Sequence, residues 1–167
     1  MFSYFNCCKK SIVVKKSIVV KKSDQAILNE VLEPENMPCF SFIGQSFVGI
    51  PANVYDGDTL SIIIVHHGTP VKYRCRALGY DSPEMKPSLS NPNRTVEKNL
   101  AHKAKDRFIE LVTKHPEKNI FIKCHEFDKY GRLLVEIWNY VDKESINSIM
   151  INEGHGKPYE GGTKEKW

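Results

Sequence analysis

The sequence lacks long apolar runs, paired cysteines and a myristoylation site. No apolar run reaches the roughly 20 residues that a membrane-spanning helix needs. The five cysteines are odd in number and include no CxxC pair, so they indicate neither a disulfide framework nor a zinc site. Phe2 stands where N-myristoylation requires glycine. Lysine pairs interrupt any apolar core near the start, so we expect no cleavable secretory signal and an intracellular, cytoplasmic protein.

The composition is that of an ordinary globular protein with a slight excess of positive charge. A chain of 167 residues, 41% of them hydrophobic, can build one domain with a real core and a tail. The net charge of +4 favours a polyanionic partner, although many proteins of similar charge bind no nucleic acid. We expect a monomer.

Residues 1–37 differ in composition from the rest of the chain. KKSIVV occurs at 9–14 and again at 15–20, and a third KKS begins at Lys21. One interpretation is a duplicated stretch in a flexible, partly disordered N-terminal arm. The other is a membrane tether, because acyl chains on Cys7 and Cys8 beside a lysine pair would anchor the chain. Both interpretations remain open from the sequence.

From residue 38 onward, the pattern of apolar residues predicts a mainly β domain of the α+β class. Alternating and β-branched runs predict strands, and apolar residues at three- and four-residue steps predict helices. The predicted strands span 40–54, 59–66, 71–78, 120–127 and 133–138, and the predicted helices span 25–32, 95–115 and 144–153. This order indicates a five-stranded OB-fold barrel with two or three helices over residues 38–156, followed by a polar tail at 157–167.

Two aspartates are candidate ligands of a metal ion. Asp58 opens the second predicted strand, and Asp81 follows the third. If these strands pair as a hairpin, both carboxylates lie near its open end. Hard oxygen ligands at close range select Ca²⁺ or Mg²⁺. The alternative is that Asp56-Gly57-Asp58 is only a turn, since Asp and Gly are common turn residues.

Two arginines and a glutamate complete the candidate site. The planar guanidinium of Arg76 matches two oxygens of a phosphate. Arg132 directly follows a hairpin glycine and has a second interpretation as an exposed turn residue. Glu84 is the candidate general base that would activate a water molecule.

Three segments together resemble the staphylococcal nuclease (thermonuclease) family, which is built on an OB-fold barrel. They are Asp56-Gly57-Asp58-Thr59, Arg76 followed by Asp81-Ser82-Pro83-Glu84, and Asp128-Lys129-Tyr130-Gly131-Arg132. The resemblance covers about residues 40–154. It implies a Ca²⁺-dependent nuclease that hydrolyses DNA and RNA, with single strands favoured, and releases 3′-phosphate ends. The rival is a catalytically silent OB-fold module that binds single strands.

The resemblance also implies a role for each matching position. Asp58 and Asp81 would bind Ca²⁺ together with the main-chain carbonyl of Ser82. Glu84 would orient or deprotonate the attacking water, and Arg76 and Arg132 would hold the phosphate. The remaining positions would contact the nucleotide: Lys129, Tyr130 and, in place of the family's tyrosines near the substrate, Tyr159.

Overall fold

The computed structural model describes residues 22–167, and the chain divides into two units, Met1–Phe40 and Ser41–Trp167. The candidate tether residues Cys7 and Cys8 lie outside the described residues. The first unit contains helix α1, Lys22–Asn29, and a single 3₁₀ turn, Pro34–Asn36. No helix within residues 22–167 is both long enough and apolar enough to cross a membrane.

The second unit is built on a closed five-stranded barrel with strand order β1-β2-β3-β6-β5. Its strands are β1 Ser46–Val54, β2 Thr59–His66, β3 Thr69–Ala77, β5 Ile120–Phe127 and β6 Leu133–Asn139. Two short strands, β4 Tyr80–Asp81 and β7 Lys157–Pro158, pair outside the barrel. The helices are α2, Arg94–Thr113, and α3, Ile146–Asn152. The predicted OB-fold barrel of the α+β class is confirmed.

A parallel pair of strands closes the barrel, whereas its other pairs are antiparallel. In this pair, Arg76 of β3 lies opposite Leu134 of β6. Asn147 of α3 is buried beside the pair, and its side-chain amide donates hydrogen bonds to the main-chain oxygens of Leu78 and Val135, at 2.8 and 3.1 Å. Strand β3, from the first half of the second unit, therefore lies beside strand β6, from its second half, and the candidate site forms at this junction.

The core fills the barrel and the space beneath the two helices. Alternate residues of β2 point inward because successive side chains of a strand face opposite sides. Burial raises the pKa of the Cys75 thiol to about 12 and that of Cys124 to about 11, so both behave as small apolar residues. The largest buried side chains are Tyr80, Phe42, Phe108, Leu60, Ile62, Ile64, Leu111, Ile120, Ile122, Leu133, Ile137 and Ile146.

Several bounds of the predicted elements are wrong, and helix α1, for example, spans Lys22–Asn29 rather than residues 25–32. The first strand begins at Ser46 rather than at residue 40, because the preceding residues form a turn in which the Gln45 N–H donates to the Phe42 carbonyl at 2.9 Å. Helix α2 spans Arg94–Thr113 rather than residues 95–115, and Asn93 is its N-cap, with no side-chain capping bond. A register shift between Pro51 and Asn53 marks a bulge in β1.

Candidate active site

The turn before β2 sets the position of Asp58. The side chain of Asp56 accepts hydrogen bonds from the N–H groups of Asp58 and Thr59, at 3.1 and 2.7 Å. The β2–β3 register places Thr59 opposite Arg76. Asp58 therefore enters the site beside Arg76, as the proposed hairpin required.

Arg76 joins the two candidate metal ligands. Its Nη1 lies 2.9 Å from Asp58 Oδ2, and its Nη2 lies 2.9 Å from Asp81 Oδ1. Nη2 also donates to the Tyr80 carbonyl at 3.2 Å. Burial alone would lower the pKa of Arg76, but the adjacent carboxylates raise it overall, so the guanidinium stays charged. Because a guanidinium carries five N–H donors, these contacts leave capacity for a phosphate.

The carboxylate of Asp58 is buried and surrounded by donors. Burial, reinforced by the charge of Asp56, raises its pKa to about 6, and Arg76 only partly opposes this. Asp58 Oδ1 accepts from the Thr59 hydroxyl at 2.8 Å, and Oδ2 accepts from the Ser82 N–H at 3.2 Å. A buried carboxylate of this kind gains from a nearby cation.

Gly57 allows the turn to lie directly against its surroundings. A Cβ at this position would lie 2.8 Å from Ser82 Cβ and 2.9 Å from Ala104 Cβ, which is too close for either contact. The hydroxyl of Tyr80, a fully buried residue, donates to the Gly57 carbonyl at 2.7 Å. The turn is thus held on three sides, which fixes Asp58.

The hairpin between β5 and β6 positions Arg132. Asp128 Oδ2 accepts from Arg132 Nε at 2.7 Å, and Asp128 Oδ1 accepts from the N–H groups of Tyr130 and Arg132, both at 2.9 Å. Burial would raise the pKa of Asp128, but these hydrogen bonds lower it overall. Arg132 Nη1 also donates to the Thr59 hydroxyl at 3.1 Å, so Thr59 connects Arg132 to Asp58.

Glu84 lies at the edge of the site, with its side chain 54% exposed. Its N–H donates to Glu97 Oε1 of α2 at 3.2 Å, which ties the loop after β4 to the helix. Its side chain pairs with Lys164, whose Nζ lies 2.7 Å from Glu84 Oε1 and 2.8 Å from Asp81 Oδ1. Burial would lower the pKa of Lys164, but its two carboxylate partners raise it overall.

A groove of about 1030 Å³ runs beside these charged groups. Tyrosine rings flank both arginines: the Tyr159 ring centre lies 5.9 Å from Arg76 Cζ, and the Tyr130 ring centre lies 5.6 Å from Arg132 Cζ. Six of the predicted site residues line the groove: Arg76, Glu84, Lys129, Tyr130, Arg132 and Tyr159. Cationic groups and aromatic faces side by side suit a nucleic-acid strand, because phosphates pair with the former and bases stack on the latter.

The structure therefore brings the predicted residues to one region, with Asp58, Asp81 and Ser82 buried around Arg76 and the others around the groove. Sequence reasoning missed three residues of the site: Thr59, Tyr80 and Lys164. Thr59 lies within a quoted motif and Tyr80 directly precedes Asp81 of another, so both could have been found from the sequence. Lys164 lies 80 residues from Glu84 in a polar segment without a motif, and no sequence signal identified it.

The residues at this point fit a Ca²⁺ ion by the chemistry of their donors. Asp58 and Asp81 offer buried carboxylate oxygens, and the adjacent Ser82, also buried, could add its main-chain carbonyl. Within residues 22–167, no group of three or more His, Cys, Asp or Glu side chains is arranged to hold a metal. The proposed set contains only two such side chains, because its third ligand is a main-chain carbonyl. Water and phosphate oxygens would therefore have to complete the coordination shell.

Comparison with known proteins identifies the family. The family model described as staphylococcal nuclease homologue matches residues 74–166, which is more than half of the chain. The chain belongs to this family, and the predicted family is confirmed. No curated protein matches the chain.

Family membership indicates a nuclease or an OB-fold nucleic-acid-binding protein. The matched region includes Arg76, Asp81, Glu84 and Arg132, but it begins after Asp58. Asp58 therefore joins the site on geometric grounds, through its contact with Arg76.

Proposed function

We propose that this protein is a Ca²⁺-dependent nuclease that hydrolyses phosphodiester bonds of DNA and RNA, preferentially in single strands. The observation that supports it most strongly is Arg76 held between the buried carboxylates of Asp58 and Asp81, next to the groove that contains Glu84 and Arg132. This arrangement combines oxygen ligands for a cation, guanidinium groups for a phosphate and a carboxylate base.

In this proposal, Arg76 and Arg132 hold the phosphate and stabilise the charge that develops on its oxygens. Glu84 accepts a proton from water as the water oxygen attacks phosphorus in line with the leaving oxygen. The bond from phosphorus to the 5′ oxygen breaks, and that oxygen takes up a proton from solvent water and leaves as a hydroxyl, so the other product carries a 3′-phosphate end. A bound Ca²⁺ held by Asp58, Asp81 and the Ser82 carbonyl would neutralise charge on a phosphoryl oxygen.

Lys129, Tyr130 and Tyr159 are proposed to bind the substrate. Lys129 Nζ lies 5.1 Å from the Tyr130 ring centre, and Tyr130 is largely exposed, so both can reach a strand in the groove. Bases that stack on the two tyrosine rings would be read without strong sequence preference. Single strands are favoured because a base must leave its duplex partner before it can stack on a protein ring.

A cleavage assay on labelled single-stranded DNA tests this function. We expect Glu84→Gln to lose at least about 100-fold in rate, because a general base typically contributes 10²–10⁴-fold. The side chain is half exposed, so the variant should fold and still bind DNA. Glu160→Gln, at another glutamate that lines the groove, is the matched control and should cleave nearly as fast as the unchanged protein.

The same assay tests the role of the metal separately from the role of Glu84. Together with a binding measurement, it also distinguishes an enzyme from a binding module. Chelator should abolish cleavage, and Ca²⁺ should restore it. Undiminished cleavage by Glu84→Gln would refute the role of Glu84, and undiminished cleavage in chelator would refute the metal. Tight binding of single-stranded DNA without any cleavage in Ca²⁺ would identify a silent binding module instead.

A further inference from the structure

Segment 159–167 turns back toward the proposed active site. Its first residue is attached beside the site, because the Tyr159 N–H donates to the Gly79 carbonyl at 2.9 Å and β7 pairs with β4. Gly161 and Gly162 follow with φ of 110° and 89°, in the left-handed region that favours glycine. The two glycines reverse the chain and bring Lys164 to the carboxylates.

Lys164 contacts two of the residues on which the proposed chemistry depends. Its Nζ lies 2.8 Å from Asp81 Oδ1 and 2.7 Å from Glu84 Oε1. Arg76 Nη2 lies 2.9 Å from the same oxygen of Asp81, so two cationic groups share one carboxylate oxygen. An ammonium group has donors and no acceptor, so Lys164 cannot stand in for a base or a metal ligand.

The far end of the segment is held by Lys157. Lys157 Nζ donates to the Lys166 carbonyl at 2.6 Å and lies 4.9 Å from the centre of the Trp167 ring. The indole N–H of Trp167 is buried with no hydrogen-bond partner among residues 22–167. Release of the segment would let this N–H bond to water, which favours an exchange between docked and released states.

We propose that residues 163–167 of this segment form an internal inhibitor of the groove, in which Lys164 competes with the divalent cation for Asp81 and covers Glu84, whereas Tyr159 stays attached beside the site. This inference rests on the proposed function, which places the cation at Asp81 and the reacting water at Glu84. Of the two cationic groups on Asp81, Lys164 is the one that the metal ion displaces. Its side chain is 42% exposed, whereas that of Arg76 is 11% exposed and hydrogen-bonded on several sides. Cation binding and opening of the groove are then a single event.

The size of the effect follows from how much of the time Lys164 is docked. A ligand that binds only the released state has its apparent affinity reduced by the fraction of molecules in that state. If Lys164 is docked about nine-tenths of the time, removing its charge raises the apparent Ca²⁺ affinity about tenfold, which corresponds to about 1.4 kcal/mol.

Calorimetric titration of Ca²⁺ into the 167-residue chain tests the competition without relying on activity. Lys164→Met should bind Ca²⁺ about tenfold more tightly than the unchanged chain. Lys166→Met removes the same charge two residues away, where the structure gives the side chain no ion pair with any described residue, and should leave the affinity unchanged. A second measurement follows Trp167 fluorescence in a Trp138→Phe background, where Ca²⁺ or Lys164→Met should shift the emission to longer wavelength.

The possible outcomes separate this inference from the proposed function. Equal Ca²⁺ affinities in the unchanged chain and in Lys164→Met would overturn the inhibitor and leave the metal site standing. An equal gain in Ca²⁺ affinity in Lys164→Met and Lys166→Met would also overturn the inhibitor, since the effect would then come from the lower net positive charge of the protein. Absence of Ca²⁺ binding in every variant would refute the metal assignment of the proposed function, and the competition with it.

Discussion

At the scale of single residues, the site depends on side chains that connect its charged groups. Thr59 is 1% exposed, and its hydroxyl both donates to Asp58 and accepts from Arg132. It thereby couples the proposed metal side of the site to the proposed phosphate side. Asp58 and Arg132 form no ion pair with each other among the residues described, 22–167, so the Thr59 hydroxyl is the direct connection between them.

Thr59→Val should weaken catalysis while preserving the fold. Valine has nearly the same shape, but it removes one donor from Asp58 and one acceptor from Arg132. We expect the cleavage rate to fall about tenfold, since a lost hydrogen bond of about 1.4 kcal/mol in the transition state corresponds to that factor. Thr59→Ser keeps the hydroxyl and should retain most of the rate. Equal rates for the two variants would show that the hydroxyl does not matter.

Sequence reasoning reached the charged residues of the site more readily than the residues that hold them. The pairing of two predicted strands was enough to bring Asp58 and Asp81 together. It could not show that Arg76 lies between them, because that depends on rotamers and on the turn after β3. The buried contact of Tyr80 with the Gly57 carbonyl depends on packing that no local pattern encodes.

At the scale of elements, a charged pair joins the two helices of the second unit. Arg107 of α2 donates through Nε and Nη2 to Glu153, directly after α3, at 2.7 and 2.6 Å. The bonds from Arg107 lower the pKa of Glu153. Because the folded-state pKa is lower than the unfolded one, this pair stabilises the protein above the unfolded pKa and loses its effect as the pH falls through the folded pKa.

Glu153→Gln should therefore destabilise the protein at neutral pH and have less effect in acid. We expect a loss of about 0.5–1 kcal/mol at pH 7, because both side chains are partly exposed and solvent screens them. The difference should shrink as the pH falls below about 4.3, where unfolded glutamate is protonated. Urea unfolding at several pH values measures this. Glu110→Gln, at the more exposed partner of Arg107, is the control and should cost less.

The accuracy of the predicted elements depended on how clearly each one was bounded. Strand β2 was predicted with its observed ends, because its β-branched run lies between two turns rich in Gly and Asp or His. The start of β1 was wrong because apolar residues such as Phe42 pack into the core from a turn as well as from a strand. The end of α2 was close, since Pro116 disfavours helix at the residue before it.

At the scale of the whole molecule, the predicted division between the arm and the nuclease domain leads to a truncation experiment. A chain that begins at Pro38 should unfold thermally at nearly the same temperature as the full chain, because the core residues of the barrel all follow this point. A marked drop in the midpoint would show that residues 1–37 contribute to the stability of the barrel.

Phe42 provides the matched control, since it lies just inside the same boundary. Its ring is fully buried and meets those of Phe47 and Tyr73 edge-on, with centres 5.6 and 5.1 Å apart. Phe42→Ala should cost about 3–5 kcal/mol. That loss would lower the midpoint by on the order of 10 °C, well beyond the effect expected of the truncation.

The parallel pairing of β3 with β6 determines when the proposed nuclease activity would appear during folding. It joins Cys75 to Leu133, the neighbours of Arg76 and Arg132, across all of α2 and β5. Contacts so far apart along the chain form slowly, because a long loop must close first. A chain with only its local hairpins formed would hold the guanidinium groups of Arg76 and Arg132 apart. The appearance of the proposed cleavage activity during refolding would therefore report the completion of the barrel.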